Sequence, residues 1–226
     1  MKNNYYIGID LGTTNTVVTI GEKNPIDGTL YRRNCKIKQY DNLKNETSAE
    51  ILPSVLYVDG NDIIVGNYAK EMKNKNSSNV VYNTKRSMGT EIVFPINGKY
   101  LQAWEVAAEI LKSCRDSICE SNFTNDIDEA IITVPASFDH DKIEDTKRAA
   151  EKAGFNKEKI HVLHEPTAAL IDFVYNASNN AATPLSFEQK KRLFVLDLGG
   201  GTCDISIIDT QVINDEIILE EKAINR

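Results

Sequence analysis

One segment of this sequence occurs twice. Ile7-Gly8-Ile9-Asp10-Leu11-Gly12 and Phe194-Val195-Leu196-Asp197-Leu198-Gly199 share one order: an apolar strand, Asp-Leu-Gly, small residues, then a second β-rich run. The two aspartates are 187 residues apart. A repeat at that distance implies two half-domains descended from one unit. It excludes a solenoid, whose repeats recur every roughly 20–50 residues. Each copy leads into a strand, and GxxxxGK[ST] is absent, so neither a P-loop nor a Rossmann fingerprint is present.

The duplicated loop has the chemistry of a phosphate clamp. Small residues after a strand let backbone N–H groups approach a phosphate closely. Thr13, Thr14 and Thr202 add hydroxyl donors. An aspartate at each strand end repels phosphate but can hold a divalent cation, or its waters, that bridges to phosphate. Two plain hairpins with glycine turns are the alternative reading, and the matched aspartates count against it.

Composition sets the class. The chain has 226 residues, 41% apolar and 26% charged, enough to bury a core. Against 26 Lys and Arg stand 33 Asp and Glu, a net charge of −7. That balance argues against a nucleic-acid partner, which needs a basic face. It is compatible with ATP, because backbone amides and a few local cations suffice for phosphate. No apolar run reaches membrane-spanning length. The first residues run straight into a strand pattern, so no signal peptide and a cytoplasmic location are expected. Cys35, Cys114, Cys119 and Cys203 form no CxxC pair, which argues for idle thiols and against zinc. Cys114 and Cys119 are expected on different faces of one helix.

Periodicity predicts strand, tight turn and strand over residues 5–20, and a hairpin over 51–66 turned at Asp59-Gly60-Asn61-Asp62. A polar stretch follows from 70 to 85. Trp104, Ala107, Ala108, Leu111 and Ile118 have helical spacing and predict a helix over 102–119. Ala130-Ile131-Ile132-Thr133-Val134 is a near-continuous apolar run, the pattern of a strand covered on both faces, and Pro135 stops it. Asp139 is placed to cap a helix ending near Gly154. A strand at 160–163, a helix opened by Glu165-Pro166, a polar linker at 179–183 and strands at 193–197, 204–208 and 213–219 complete an α/β protein with a mixed sheet.

These residues resemble a known family. Ile7 to Asn15 is similar to the first phosphate motif of the 70-kDa heat-shock chaperones. Ile132-Thr133-Val134-Pro135-Ala136-Ser137-Phe138, His164-Glu165-Pro166-Thr167-Ala168-Ala169 and Asp197-Leu198-Gly199-Gly200-Gly201-Thr202-Cys203-Asp204 resemble three more, in the family's order. The paired loops alone fit any actin-like ATPase. The Val-Pro-Ala and Glu-Pro-Thr-Ala-Ala stretches are narrower. The resemblance covers the whole chain but only the N-terminal part of the family's ATPase domain. It implies an actin-like (ribonuclease H-like) α/β fold, with lobe I complete and lobe II only begun. Residues 1–38 and 116–185 would form the lobe I base, 39–115 its upper subdomain, and 186–226 the start of lobe II.

The resemblance also implies roles. Gly12, Thr13, Thr14, Asn15, Gly199, Gly200 and Gly201 would cradle the phosphates of ATP or ADP. Asp10 and Asp197 would hold a hydrated Mg²⁺, with Glu165 near metal and water. Lys85 would position the attacking water, and Thr202 would reach the γ-phosphate. Asp204 would bind water or a monovalent cation such as K⁺. The implied activity is ATP hydrolysis, weak in a chain of this length, driving peptide binding through a domain absent here. Client polypeptides, a J-domain co-chaperone and a nucleotide-exchange factor are the implied partners.

The sequence departs from the family's pattern in places. Ser137-Phe138-Asp139 stands where Tyr-Phe-Asn is usual, Ile143 where Arg is usual, His164 where Asn is usual, and Cys203 where Phe is usual. These changes leave the phosphate residues intact and bear on coupling to J-domain partners. Two rivals are a diverged, non-hydrolysing relative that binds nucleotide or partner proteins, and a sugar or acetate kinase. The kinase would need a second-substrate pocket, which no motif suggests.

Overall fold

The computed structural model describes residues 4–24, 26–122, 127, 129–178, 186–200, 203–214 and 216–225. The predicted linker at 179–183 lies outside them, as do Gly201 and Thr202. The chain divides into two compact units. One holds Met1–Ile132 and Asp139–Val162, the other Thr133–Phe138 and Leu163–Arg226.

In the first unit, β1 (Asn4–Leu11) and β2 (Asn15–Lys23) form an antiparallel hairpin, and β3 (Leu30–Asn34) extends it beyond β2. Ile7, Ile9, Val18 and Ile20 are buried, because alternate residues of each strand share one face. A small hairpin, β4 (Ile37–Tyr40) with β5 (Glu46–Ala49), follows. The stretch predicted as one strand over 51–58 is two: β6 (Ile51–Pro53) pairs with β2, and β7 (Val55–Asp59) pairs with β8 (Asp62–Val65). Ser54 is the break between them.

The segment from 67 through the polar stretch at 70–85 carries regular structure. It holds α1 (Asn67–Met72), β9 (Val80–Tyr82) and a 3₁₀ turn at Thr84–Ser87. Ala69 buries against Val55, Tyr57, Ile64 and Val80, so one small apolar face suffices to dock α1. Gly66 enters this helix at φ 93°, where a Cβ would meet Gln39 Oε1 at 2.6 Å. That amide oxygen accepts from Asn67 N at 3.0 Å.

A hairpin of β10 (Val93–Ile96) and β11 (Lys99–Gln102) leads to α2 (Ala103–Asn122). Glu105 reaches back to accept from Gln102 N at 2.9 Å, half of a capping box. Trp104, Ala107, Ala108, Leu111 and Ile118 are all buried, as their spacing predicts. Cys114 and Cys119 were expected on different faces, yet both are buried, because the buried stripe of α2 is wide. Burial pushes the Cys114 thiol up to about 12, so it stays protonated.

Next come β12 (Glu129–Val134), α3 (His140–Lys152) and β13 (Ile160–His164), and the main sheet has the order β13-β12-β1-β2-β3 with β6 beside β2. Asp139 caps α3, its carboxylate accepting from Lys142 N at 3.1 Å. β12 is not covered on both faces. Ala130, Ile132 and Val134 are buried while Ile131 is 38% exposed, so an unbroken apolar run here hides a one-sided strand.

The second unit holds α4 (Glu165–Ser178) and a three-stranded antiparallel sheet, β14 (Lys191–Leu198), β15 (Cys203–Ile213) and β16 (Glu216–Asn225), in that order. Leu170 and Val174 of α4 pack with Phe187 and Ile208, joined by Leu193 and Val195 of β14. The opposite face of β14 shows Phe194, Leu196 and Leu198, which are 63%, 50% and 73% exposed.

Candidate functional site

The duplicated segments fold alike. Both are antiparallel hairpins, and in each the aspartate pairs with the residue seven positions on: Asp10 with Val17, Asp197 with Asp204. Leu11 and Leu198 each pair with the residue five positions on, Thr16 and Cys203. The sequence repeat is therefore a repeat of register as well.

In the first unit, Gly12, Thr13 and Thr14 form the tip between β1 and β2. A Cβ at Gly12 would collide with the Asn15 carbonyl oxygen, so the tight turn needs glycine. Ser54 pins the tip from outside. Its hydroxyl donates to Gly12 O at 2.8 Å and lies 3.0 Å from Thr16 Oγ1, and its N–H donates to Thr14 O at 2.8 Å. Sequence reasoning missed Ser54, although its place after Pro53, between two strands, marks a break.

Thr13, Thr14 and Asn15 line a small cavity of about 30 Å³ with Ser54, Lys70, Lys73 and Asn83. Asn83 adopts φ 58° and starts the 3₁₀ turn that carries Lys85. The structure thus brings the Lys85 turn to the first loop. Lys85 is half-buried, and its carbonyl accepts from Met88 N at 3.3 Å. Downstream, Gly89 N–H donates to Asp145 at 2.7 Å, fastening the turn to α3. Lys70 and Lys73 are two further cations that the sequence reading passed over. Lys73 sits 3.8 Å from the centre of the Tyr82 ring, and its partial burial and Lys70 lower its pKa.

Glu165, Asp197, Gly199, Gly200 and Asp204 belong to the second unit. Glu165 is half-buried at the start of α4. Its neighbours on both sides are tied to one carboxylate of β16. His164 Nδ1 lies 3.0 Å from Glu221 Oε1, and Thr167 Oγ1 donates to the same oxygen at 2.7 Å. Burial pushes the Glu221 carboxyl up, but these bonds outweigh it and hold it below its ordinary value. Gly199 and Gly200 are exposed at the tip of the β14–β15 hairpin.

Asp197 and Asp204 share one sheet face. Asp204 is only 4% exposed, and among the described residues its Oδ2 has no hydrogen-bond partner. Like charges directly opposite on a sheet repel, and an orphaned buried carboxylate oxygen is costly. A cation or its bound water satisfies both demands, so these residues fit one. Among the described residues no three His, Cys, Asp or Glu side chains converge to hold a metal ion. A cation held by two facing carboxylates would keep most of its waters.

A family model described as Hsp70 protein matches residues 6–96 and 91–215. The chain belongs to the Hsp70 family. Chaperone protein DnaK of Mycoplasma mobile is 35% identical over 209 residues, 92% of this chain and 30% of that protein. DnaK of Mycoplasmopsis synoviae is 35% identical over 212 residues, 93% of this chain and 31% of that protein. This Hsp70 chain therefore spans about 30% of the length of the curated relatives it matches. Its mixed helices and sheets fit the actin-like ATPase fold expected of an Hsp70 protein. Two departures from the Hsp70 pattern have clear surroundings: Asp139 caps α3, and His164 pairs with Glu221.

Proposed function

We propose that this chain is the nucleotide-handling part of a chaperone, binding ATP or ADP with Mg²⁺ and hydrolysing ATP. The matched hairpin registers, each with an aspartate at the strand end, carry this reading. In it, the amides and hydroxyls of Gly12, Thr13, Thr14 and Asn15, with Gly199, Gly200, Gly201 and Thr202, hold phosphate. Asp10, Asp197 and Glu165 would hold the hydrated Mg²⁺, and Asp204 water or K⁺. When bound, the divalent ion would offset charge on the phosphates. Lys85 orients the attacking water and stabilises charge that develops in the transition state.

In this reading residues 1–38 and 116–185 are the lobe I base, 39–115 its upper subdomain, and 186–226 the start of lobe II. Client polypeptides, a J-domain co-chaperone and an exchange factor act on the longer protein, in the cytoplasm. Among the described residues no helix is long and apolar enough to cross a membrane. The test is Mg²⁺-dependent ATP turnover in a chain extended to the length of its DnaK relatives. Asp10→Asn and Asp197→Asn should each lower turnover on the order of a hundredfold while the fold, read by circular dichroism, persists. Unchanged turnover in both variants would refute the reading.

A further inference from the structure

We propose that Glu221 is a positioning residue for Glu165: through His164 and Thr167 it fixes the first turn of α4, and with it the place of the Glu165 carboxylate. This rests on the role proposed above for Glu165 beside metal and water. β13 ends at His164 and α4 begins at Glu165, so the chain turns from strand to helix with no loop between. Glu221 holds that turn on both sides. Its Oε1 accepts from Thr167 Oγ1 at 2.7 Å and lies 3.0 Å from His164 Nδ1, and its Oε2 lies 3.3 Å from the same nitrogen.

The strand pattern gives Glu221 a task other than packing. Ile217 and Leu219 of β16 pack against the α4 cluster, and alternation places residue 221 on the same face. Glu221 pairs with Ile208, which is buried in that cluster. An apolar residue would continue this face, and a partly buried carboxylate there is desolvated at a cost. Beyond it the register shifts by one residue: Ile207 pairs with Ala223, leaving Lys222 as the extra residue of a β-bulge. Bulges re-aim side chains and recur beside active sites. Holding His164 and Thr167 fixes the rotation of the turn about the helix axis. A helix with its side chains is about 5–6 Å in radius, so a rotation of roughly 10° moves a carboxylate by about 1 Å. A misplacement of about that size can cost on the order of a hundredfold in rate.

Glu221→Leu, Glu221→Gln and Glu165→Gln test it. Leucine continues the apolar face, so the urea midpoint of the 226-residue chain should be kept or raised. Glutamine retains an oxygen that can accept from both His164 and Thr167. In the metal-free chain, ¹³C NMR reads the Glu165 carboxyl carbon, assigned as the signal that Glu165→Gln removes. That signal should shift or broaden in Glu221→Leu and keep its place in Glu221→Gln. In a chain extended to the length of its DnaK relatives, Glu221→Leu should lower kcat on the order of tenfold or more and leave KM for ATP within about twofold. Glu221→Gln should keep kcat within about threefold. With Glu165→Gln already present, Glu221→Leu should lower kcat no further, because the two act as a unit. An unmoved Glu165 signal or additive losses in the double variant would overturn the proposal. A lowered urea midpoint in Glu221→Leu would overturn it too, making Glu221 a structural residue. If Glu165→Gln alone leaves turnover unchanged, the role of Glu165 fails and the proposal falls with it. A slow Glu165→Gln beside an unchanged Glu221→Leu overturns the proposal and leaves that role standing.

Discussion

Asp197 and Asp204 stand directly opposite each other across β14 and β15, and among the described residues Asp204 Oδ2 has no hydrogen-bond partner. In the first hairpin the position equivalent to Asp204 is Val17. The two halves of the repeat thus share a register but differ in charge. Only the second builds a paired-carboxylate site.

That pair predicts a stability that depends on cations. Adding Mg²⁺ or K⁺ well above its dissociation constant should raise the melting temperature of the 226-residue chain by roughly 2–4 °C per kcal/mol of binding. Asp204→Asn removes the repulsion and should abolish most of the increment. A rise of equal size in the variant would place the cation elsewhere.

The role proposed for Lys85 separates binding from turnover. An ammonium beside the attacking water acts more strongly in the transition state than in the ground state. Lys85→Ala should lower turnover strongly while ATP affinity, measured by calorimetry, is kept. If the two fall together, Lys85 is a phosphate anchor and does not position water.

Ser54 tests whether the first loop needs its outside support. Ser54→Ala removes the donor to Gly12 O and the partner of Thr16 Oγ1. The expected cost is roughly 1–3 kcal/mol in urea unfolding of the unit that holds it. Phosphate binding should weaken as well. No change in either measurement would mean that the tip holds its shape alone.

Asp209 gives the second unit an acid-labile point. Arg192 donates to both its oxygens, at 2.7 and 3.0 Å, and Lys190 lies 3.3 Å away. The Arg192 bonds, with help from Lys190, hold its carboxyl down at about 2 against an ordinary 3.8. A depressed carboxylate stabilises the fold above its unfolded value, and the contribution is lost as pH falls through the folded one. Stability should therefore drop between pH 4 and 2. Arg192→Ala should flatten that part of the urea-midpoint profile; an unaltered slope would assign the acid loss to other groups.

The sequence alone determined the two hairpins on which the candidate site residues sit. The strand–turn–strand around Asp10 to Thr14, and the strand end at Asp197 with its turn glycines Gly199 and Gly200, were legible because a hairpin register follows from the turn and the alternation beside it. The helix α2 and the Asp139 cap were legible for the same reason: spacing and capping act over a few residues. Tertiary structure alone decided what meets the hairpins from afar. Ser54 reaches Gly12 across 42 residues of chain, Asp145 reaches Gly89 across 56, and Glu221 reaches His164 across 57. No local pattern encodes such partners, because each contact depends on how separate elements pack. The exposure of Ile131 follows the same rule. An apolar run states what could be buried, and only the neighbouring layers decide which of its faces is.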